Sequence, residues 1–357
     1  MARTQFQRHP SIVPPYMLRA IARNARSSQL RNAALEALAY DPTFRSARTT
    51  QQLLGTRAHR TLLTTPEPQK HRTIYDAASS EQLPGKTVRT EGQSDSGDPA
   101  VDEAYAGLGA TFDFYLAAYA RNSIDDEGLA LNATVHYGQK YDNAFWNGSQ
   151  MVFGDGDGEL FNRFTIAVDV IGHELTHGVT GDESKLVYLG QAGALNESIS
   201  DVFGSLVKQW SAQPQQTADQ ADWLIGAGLF LRPVGGENAL RSMAHPGTAY
   251  DDPELGGKDP QPADMGGFVD TTQDNGGVHL NSGIPNRAFY LVASQLGGYA
   301  WEKAGRIWYD TIRDTQLRST ATFQQFAALT AAHARQAFGA DEQQVVINAW
   351  KQVKVTM

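Results

Sequence analysis

Val170-Ile171-Gly172-His173-Glu174-Leu175-Thr176-His177-Gly178-Val179 places two histidines four residues apart, with a glutamate directly after the first. On an α-helix four residues turn through about 400°, so His173 and His177 leave one face a turn apart and can grip one metal ion. Glu174 stands about 100° round from His173, beside such an ion, where a carboxylate can take a proton from a water that the metal activates. Taken alone, the pentapeptide also fits an amphipathic helix carrying two surface histidines, so the remainder of the chain has to decide.

Outward from this stretch the sequence changes character on its two sides. Upstream, polar and apolar residues alternate over 71–89, as in hairpin strands, and strand chemistry returns over 131–153, around Thr134-Val135-His136-Tyr137 and Asn143-Ala144-Phe145-Trp146. Between them, 99–120 carries Tyr105, Leu108, Phe112 and Tyr115 at helical spacing. Gly154-Asp155-Gly156-Asp157-Gly158 reads as a plain sharp turn: it has the composition of a calcium loop but not the spaced ligands and closing glutamate of an EF-hand. The histidine helix itself is expected over 164–180, apolar on most faces and so buried. Downstream the pattern is helical over 192–210, 281–296, 299–315, 322–338 and 341–353. A polar, Gly/Pro-rich stretch over 235–274 reads as loop, anchored by Leu240-Arg241-Ser242-Met243. The expected fold is α+β in two lobes, strand-rich over 71–180 and helical over 181–357, with the histidine helix on the floor of the cleft between them.

Composition narrows what such a fold can do. The 357 residues, 41% of them hydrophobic, suffice for a substantial core, and no run of eighteen apolar residues offers a membrane span. With no cysteine in the chain, any metal has to be held by histidines and carboxylates. A net charge of −9 argues against nucleic acid as a partner. That charge is unevenly divided: residues 1–50 carry eight arginines against Glu36 and Asp41, a balance of +6, which leaves −15 on the rest. A basic leader and an acidic body attract one another. Within the leader, Pro14-Pro15 enforces an extended entry and 18–40 reads as one or two helices, while 51–70 reads as an exposed linker. The first residues lack the apolar block of a secretory signal peptide, so synthesis is expected to end in the cytoplasm, with secretion by a non-Sec route open.

Catalytic zinc usually takes three protein ligands and leaves a fourth position to water. Twenty residues past His177, the run Gly193-Ala194-Leu195-Asn196-Glu197-Ser198-Ile199-Ser200-Asp201 sets Glu197 and Asp201 one turn apart on a common helix face. The first can bind the metal and the second can accept the ring N–H of a liganding histidine, although such a pair by itself is usually a solvated face. Asp274-Asn275-Gly276-Gly277-Val278-His279-Leu280-Asn281-Ser282-Gly283 pairs an acid with a histidine in a glycine-rich loop that opens a helix. A histidinium steadied by a carboxylate suits donation to an oxyanion, and the same arrangement also suits a helix cap.

In this order the pieces resemble the thermolysin family of zinc metalloendopeptidases. The landmarks are Asn143-Ala144-Phe145-Trp146, His173 to His177, Tyr188, the Gly193 and Asp274 blocks and Leu240-Arg241-Ser242-Met243, together spanning roughly 70–350. Pro14-Pro15-Tyr16 in a short leader resembles the pro-region of the protealysin-like branch, which implies a propeptide over 1–50 that covers or props the cleft until it is cut near 44–56. The resemblance implies a two-lobe zincin fold in which His173, His177 and Glu197 bind Zn²⁺ and Glu174 is the general base. It further implies that Asp201 orients His173, that Tyr188 and His279 donate to the oxyanion, and that Asp274 stands behind His279. Arg241 would hold a substrate carbonyl, Asn143 and Ala144 would pair with an extended substrate strand, and Phe161, Phe164, Val170 and Leu240 would line the pocket for the residue after the scissile bond. Polypeptides cut before bulky apolar residues are the expected substrates of a monomer with no membrane or nucleic-acid partner; the competing reading is a catalytically silent protein of the same fold.

One departure concerns calcium. Where better-known members bring carboxylates to a double calcium site, this chain offers Asp169 and Asp222 but sets Lys208, Leu224 and Ala227 at matching positions. The double site is therefore not expected, while calcium elsewhere stays open.

Overall fold

Proline chemistry sets the first element. Pro14 holds an extended backbone, and Pro15, which has no N–H to leave unsatisfied, opens helix α1 (Pro15–Asn24) in the computed structural model, which describes residues 11–39 and 67–357. A second leader helix, α2, runs over 28–39. The expected linker lies outside the described residues as far as 66, as does the expected cut near 44–56.

The alternating segments then form one mixed sheet of β1 (Arg72–Asp76), β2 (Lys86–Thr90), β3 (Leu131–Val135), β4 (Ala144–Trp146) and β5 (Met151–Phe153) in the order β2-β1-β3-β5-β4. The β1–β2 hairpin and the β4–β5 pair are antiparallel, whereas β1–β3 and β3–β5 are parallel. This order leaves β4 on the edge, with one row of backbone groups available to a further strand. Helix α3 (Pro99–Tyr119) packs across the sheet, its start set by Pro99 and by the Asp98 side chain, which accepts from Ala100 N.

The histidine helix α4 (Val168–Glu183) begins four residues later than its periodicity predicts. Residues Phe164–Ile166 form a 3₁₀ turn and Ala167 is extended at φ −101°, ψ 101°, a break that an unbroken apolar run conceals. Helix α5 (Gly190–Ser211) lies along α4 at backbone contact. A Cβ on Gly172 would come within 3.1 Å of Gly204 Cα, and one on Gly204 within 2.4 Å of Asp169 O. The expected loop over 235–274 contains short strands: β7 (Arg241–Ser242), which pairs with β6 (Leu224–Ile225) ahead of the loop, and β8 (Asp251–Asp252), which pairs with β9 (Gly257–Lys258). What orders this polar segment is a buried carboxylate, Asp259, which accepts from Gly247, Ala249 and Gln261 N–H groups.

Helices α6 (Asp274–Asn281), α7 (Gly283–Leu296), α8 (Ala304–Ile312), α9 (Phe323–Ala337) and α10 (Ala340–Gln352) complete the second lobe. Asn275, Gly276 and Gly277 in α6 have positive φ, so the regular turn begins only after them, and α8 is shorter than its apolar spacing predicts. Thr322 and Gln325 cap α9 reciprocally. The architecture is α+β, a sheet lobe and a helical lobe with α4 between them. Among the described residues no helix is long and apolar enough to cross a membrane.

Candidate metal centre and active site

The close approach of α4 and α5 brings His173, His177 and Glu197 together in the interior. The Nε2 atoms of the two histidines lie 3.1 Å apart, and the Glu197 carboxylate stands 3.6 Å from the first and 3.5 Å from the second. A tetrahedral zinc with bonds of roughly 2.0–2.1 Å sets its donors about 3.3 Å apart, so this spacing fits the ion. Among the described residues this is the one group of three or more such side chains close enough to share a metal.

The donor chemistry fits as well. His173 Nδ1 bonds Asp201 Oδ1 at 2.8 Å, and His177 Nδ1 bonds Asn196 Oδ1 at 2.7 Å and Ser200 Oγ at 3.0 Å. Engaging both Nδ1–H groups turns the Nε2 lone pairs toward the shared point. Glu197 Oε2 is buried without a hydrogen bond, which suits a metal ligand. Glu174 sits beside the triad on α4, fully buried, and its Oε2 accepts from Trp146 N on β4 at 3.1 Å.

Across the site, His279 Nδ1 bonds Asp274 Oδ1 at 2.7 Å and its Nε2 lies 3.1 Å from Tyr188 Oη. The left-handed residues between Asp274 and Val278 fold the chain back so that the same carboxylate also accepts His279 N. Burial lowers the affinity of His279 for its proton, but the charges of Asp274 and Glu197 outweigh it and push the pKa up to about 9. The Tyr188 hydroxyl donates to Glu197, and burial together with that carboxylate raises its pKa well above the usual value.

Arg241, on β7, is buried and bidentate to Asp201 through Nε and Nη2, both at 2.8 Å, a link that spacing alone does not reveal. Asn286 Nδ2 adds a further bond to Asp201 at 2.8 Å. Burial would raise the Asp201 pKa, but Arg241 and His173 hold it below the usual carboxylate range. Phe161, Phe164, Val170 and Leu240 are all fully buried, the two phenyl rings 5.7 Å apart.

Asn143 and Ala144 are already engaged, by the leader. Ile12 N donates to Ala144 O at 3.2 Å and Val13 N to Asn143 Oδ1 at 3.0 Å, while Arg241 Nη1 donates to Ile12 O at 3.0 Å. Beyond them α1 packs on the Pro253–Leu255 turn, and Ser27 Oγ donates to Glu159 at 2.7 Å. At the calcium-related positions, Lys208 Nζ lies 2.8 Å from Asp222 and 3.6 Å from Asp169 and donates to Leu224 O at 3.2 Å.

Sequence reasoning missed Trp146, Asn196, Ser200 and Asn286 as partners of the site. Asn196 and Ser200 lie in the same helical block as Glu197, but nothing in the block's spacing marks His177 as their partner.

The sequence matches two family profiles, the thermolysin metallopeptidase catalytic domain over residues 45–181 and the thermolysin metallopeptidase alpha-helical domain over 184–355. It is 54% identical to an extracellular metalloprotease of Pectobacterium carotovorum over 97% of this chain and 96% of that protein. With protease PrtS of a Photorhabdus strain it shares 48% identity over 98% of this chain and 93% of the relative. Its fold matches the precursor of protealysin, a metalloproteinase from Serratia proteamaculans, at a TM-score of 0.87 and 56% identity, covering 97% of this chain and all of that one. On these matches and on the geometry of its metal centre, the chain belongs to the thermolysin family of metallopeptidases.

Proposed function

We propose that this chain is the precursor of a zinc endopeptidase in which His173, His177 and Glu197 hold the ion. The observation that carries the reading is the triad itself: three buried donors at zinc spacing, with both histidines oriented through Nδ1 and a carboxylate, Glu174, at their side. Zinc, when bound there, acidifies a water and polarises the scissile carbonyl. Glu174 takes the proton of the attacking water and passes it to the leaving amine. The Trp146 N–H aims that carboxylate and ties it to the edge strand where substrate would lie.

His279, whose imidazole Asp274 orients through Nδ1, and Tyr188, whose hydroxyl burial keeps protonated, donate to the developing oxyanion. An extended peptide adds to the edge of β4 through Ala144 O and the Asn143 amide, and Arg241 holds the carbonyl of the residue after the scissile bond. Phe161, Phe164, Val170 and Leu240 favour cleavage before bulky apolar residues. Propeptide 1–50 and linker 51–70 precede lobes 71–180 and 181–357, and the docked leader shields the cleft until the linker is cut. Lys208 stands in for the double calcium site, and the processed enzyme acts as a monomer.

The test is Glu174→Ala. Peptide hydrolysis should fall by about 10²–10⁴-fold or more while stoichiometric zinc is retained. Full activity in that variant, or hydrolysis that survives removal of zinc by phenanthroline, sinks the mechanism.

A further inference from the structure

Four hydrogen bonds define how the leader crosses the cleft. Ile12 donates its N–H to Ala144 O at 3.2 Å and accepts at its carbonyl from Arg241 Nη1 at 3.0 Å. One residue on, Val13 donates to Asn143 Oδ1 at 3.0 Å and accepts from Asn143 Nδ2 at 3.3 Å. Leader numbers therefore rise as edge-strand numbers fall, which is antiparallel polarity. Toward lower leader numbers the facing strand runs from Ala144 to Trp146, and Trp146 is the residue whose N–H is bonded to Glu174, at 3.1 Å. Ser11, joined to the nitrogen anchored at Ala144, thus lies on the Glu174 side of Ile12. The peptide bond between the anchored apolar residue and the proton-accepting carboxylate is Ser11–Ile12.

Every group proposed to bind substrate backbone is used, by a strand that runs antiparallel to β4. Ile12 and Val13 are both fully buried, within the apolar cluster that contains Phe161, Phe164, Val170 and Leu240. Ile12 is also the type of residue that such a pocket accepts after a scissile bond. A strand of opposite polarity would set Val13, not Ser11, on the side of Trp146 and Glu174.

We infer that Ser11–Ile12 is itself a cleavage site, cut in cis by the site on which the leader lies, an inference that rests on the peptidase reading. Water adds across the bond: its oxygen joins the Ser11 carbonyl carbon, the C–N bond breaks, Ser11 leaves as a carboxylate, and the Ile12 nitrogen takes both protons of that water, passed on through Glu174, and becomes an ammonium. Helix α1, packed on Pro253–Leu255 with Asn24 Nδ2 bonded to Pro253 O at 3.1 Å, keeps Ile12 and Val13 docked after the cut. The cut therefore releases residues 1–11 without emptying the half of the cleft at Asn143 and Arg241. A chain that begins at Ile12 still shields its own site.

Full-length protein with zinc, at dilutions spanning about a hundredfold, is followed by intact mass and N-terminal sequencing, with a quenched peptide substrate in the same samples. A species beginning at Ile12 is expected, at a rate independent of protein concentration and absent in Glu174→Ala. In Ile12→Pro, which has no N–H for Ala144, release of residues 1–11 slows by roughly tenfold or more. Hydrolysis of the peptide while every leader fragment retains residues 1–11 overturns the inference and leaves the peptidase reading standing. A rate proportional to concentration overturns cleavage in cis, and hydrolysis of neither peptide nor leader overturns both readings.

Discussion

Asp201 is the residue on which the metal site and the proposed substrate site meet. Its two oxygens accept from His173, from Arg241 twice and from Asn286, all at 2.8 Å. Removing its charge leaves a fully buried guanidinium without its counter-ion, at a cost of about 3–5 kcal/mol. Asp201→Asn should therefore lower Tm and also weaken zinc binding by about 10–100-fold, because the tautomer and orientation of His173 are lost. Chelator competition beside thermal unfolding separates the two effects; unchanged zinc affinity excludes the orienting role. A second residue sets a pH dependence. Both ring nitrogens of His136 face carboxylates, Asp155 at 2.9 Å and Asp98 at 3.0 Å, and these raise its pKa to about 9 against the cost of burial. A histidine pKa raised on folding stabilises fully below the unfolded value of about 6.5, and that contribution is lost as pH rises through about 9. Tm should fall between those limits, and less steeply in His136→Gln; parallel slopes rule this out.

At the scale of elements, the α4–α5 contact decides whether the donors can share one ion. Gly204→Ala places a methyl 2.4 Å from the Asp169 carbonyl, where backbone cannot yield without moving a helix. Zinc affinity should fall by at least about tenfold even where circular dichroism is unchanged, and an unchanged affinity means the helices accommodate the methyl. Lys208 performs a related task, joining α5 to Asp222 and to Asp169 on α4. Its removal leaves the buried Asp169 carboxylate, whose pKa burial already raises, without a cation. Lys208→Ala should lower stability, and calorimetry on the unsubstituted protein should detect no tight calcium binding. Tight binding that Lys208→Ala leaves unchanged counts against the lysine's role.

At the scale of the whole molecule, the described leader is docked on the body through Ile12, Val13 and α1, the arrangement that the proposal reads as a tethered ligand on its enzyme. The +6 and −15 balances favour docking, yet the described bonds of residues 24–29 to the body come from uncharged donors: Asn24 and Gln29 amides to carbonyls, and Arg26 N and Ser27 Oγ to the carboxylates of Glu254 and Glu159. Arg31 turns back on the Ala25 and Arg26 carbonyls, at 2.7 and 3.0 Å. Full-length protein should hydrolyse test peptides at least about tenfold more slowly than protein processed through its linker. Equal rates mean that the leader does not inhibit. The gap should narrow only modestly in high salt, because bonds from uncharged donors and apolar burial are screened far less than ion pairs.

What the sequence by itself determined is what local period and residue chemistry can carry. The His173–His177 spacing and the Glu197–Asp201 turn each lie within one helix, so helical geometry relates their side chains without reference to the rest of the chain, and Asp274 and His279 are joined by a short glycine-bearing run. The order of strand-rich and helix-rich halves follows from the same periods. Only the tertiary structure decided the contacts between elements: Trp146 on Glu174, Asn196 on His177, Arg241 on Asp201, and the polarity of Ile12 and Val13 along β4. These depend on edge-strand register and on two glycines that let α4 and α5 touch, quantities set by packing between segments from 19 to 130 residues apart, about which local periodicity carries no information.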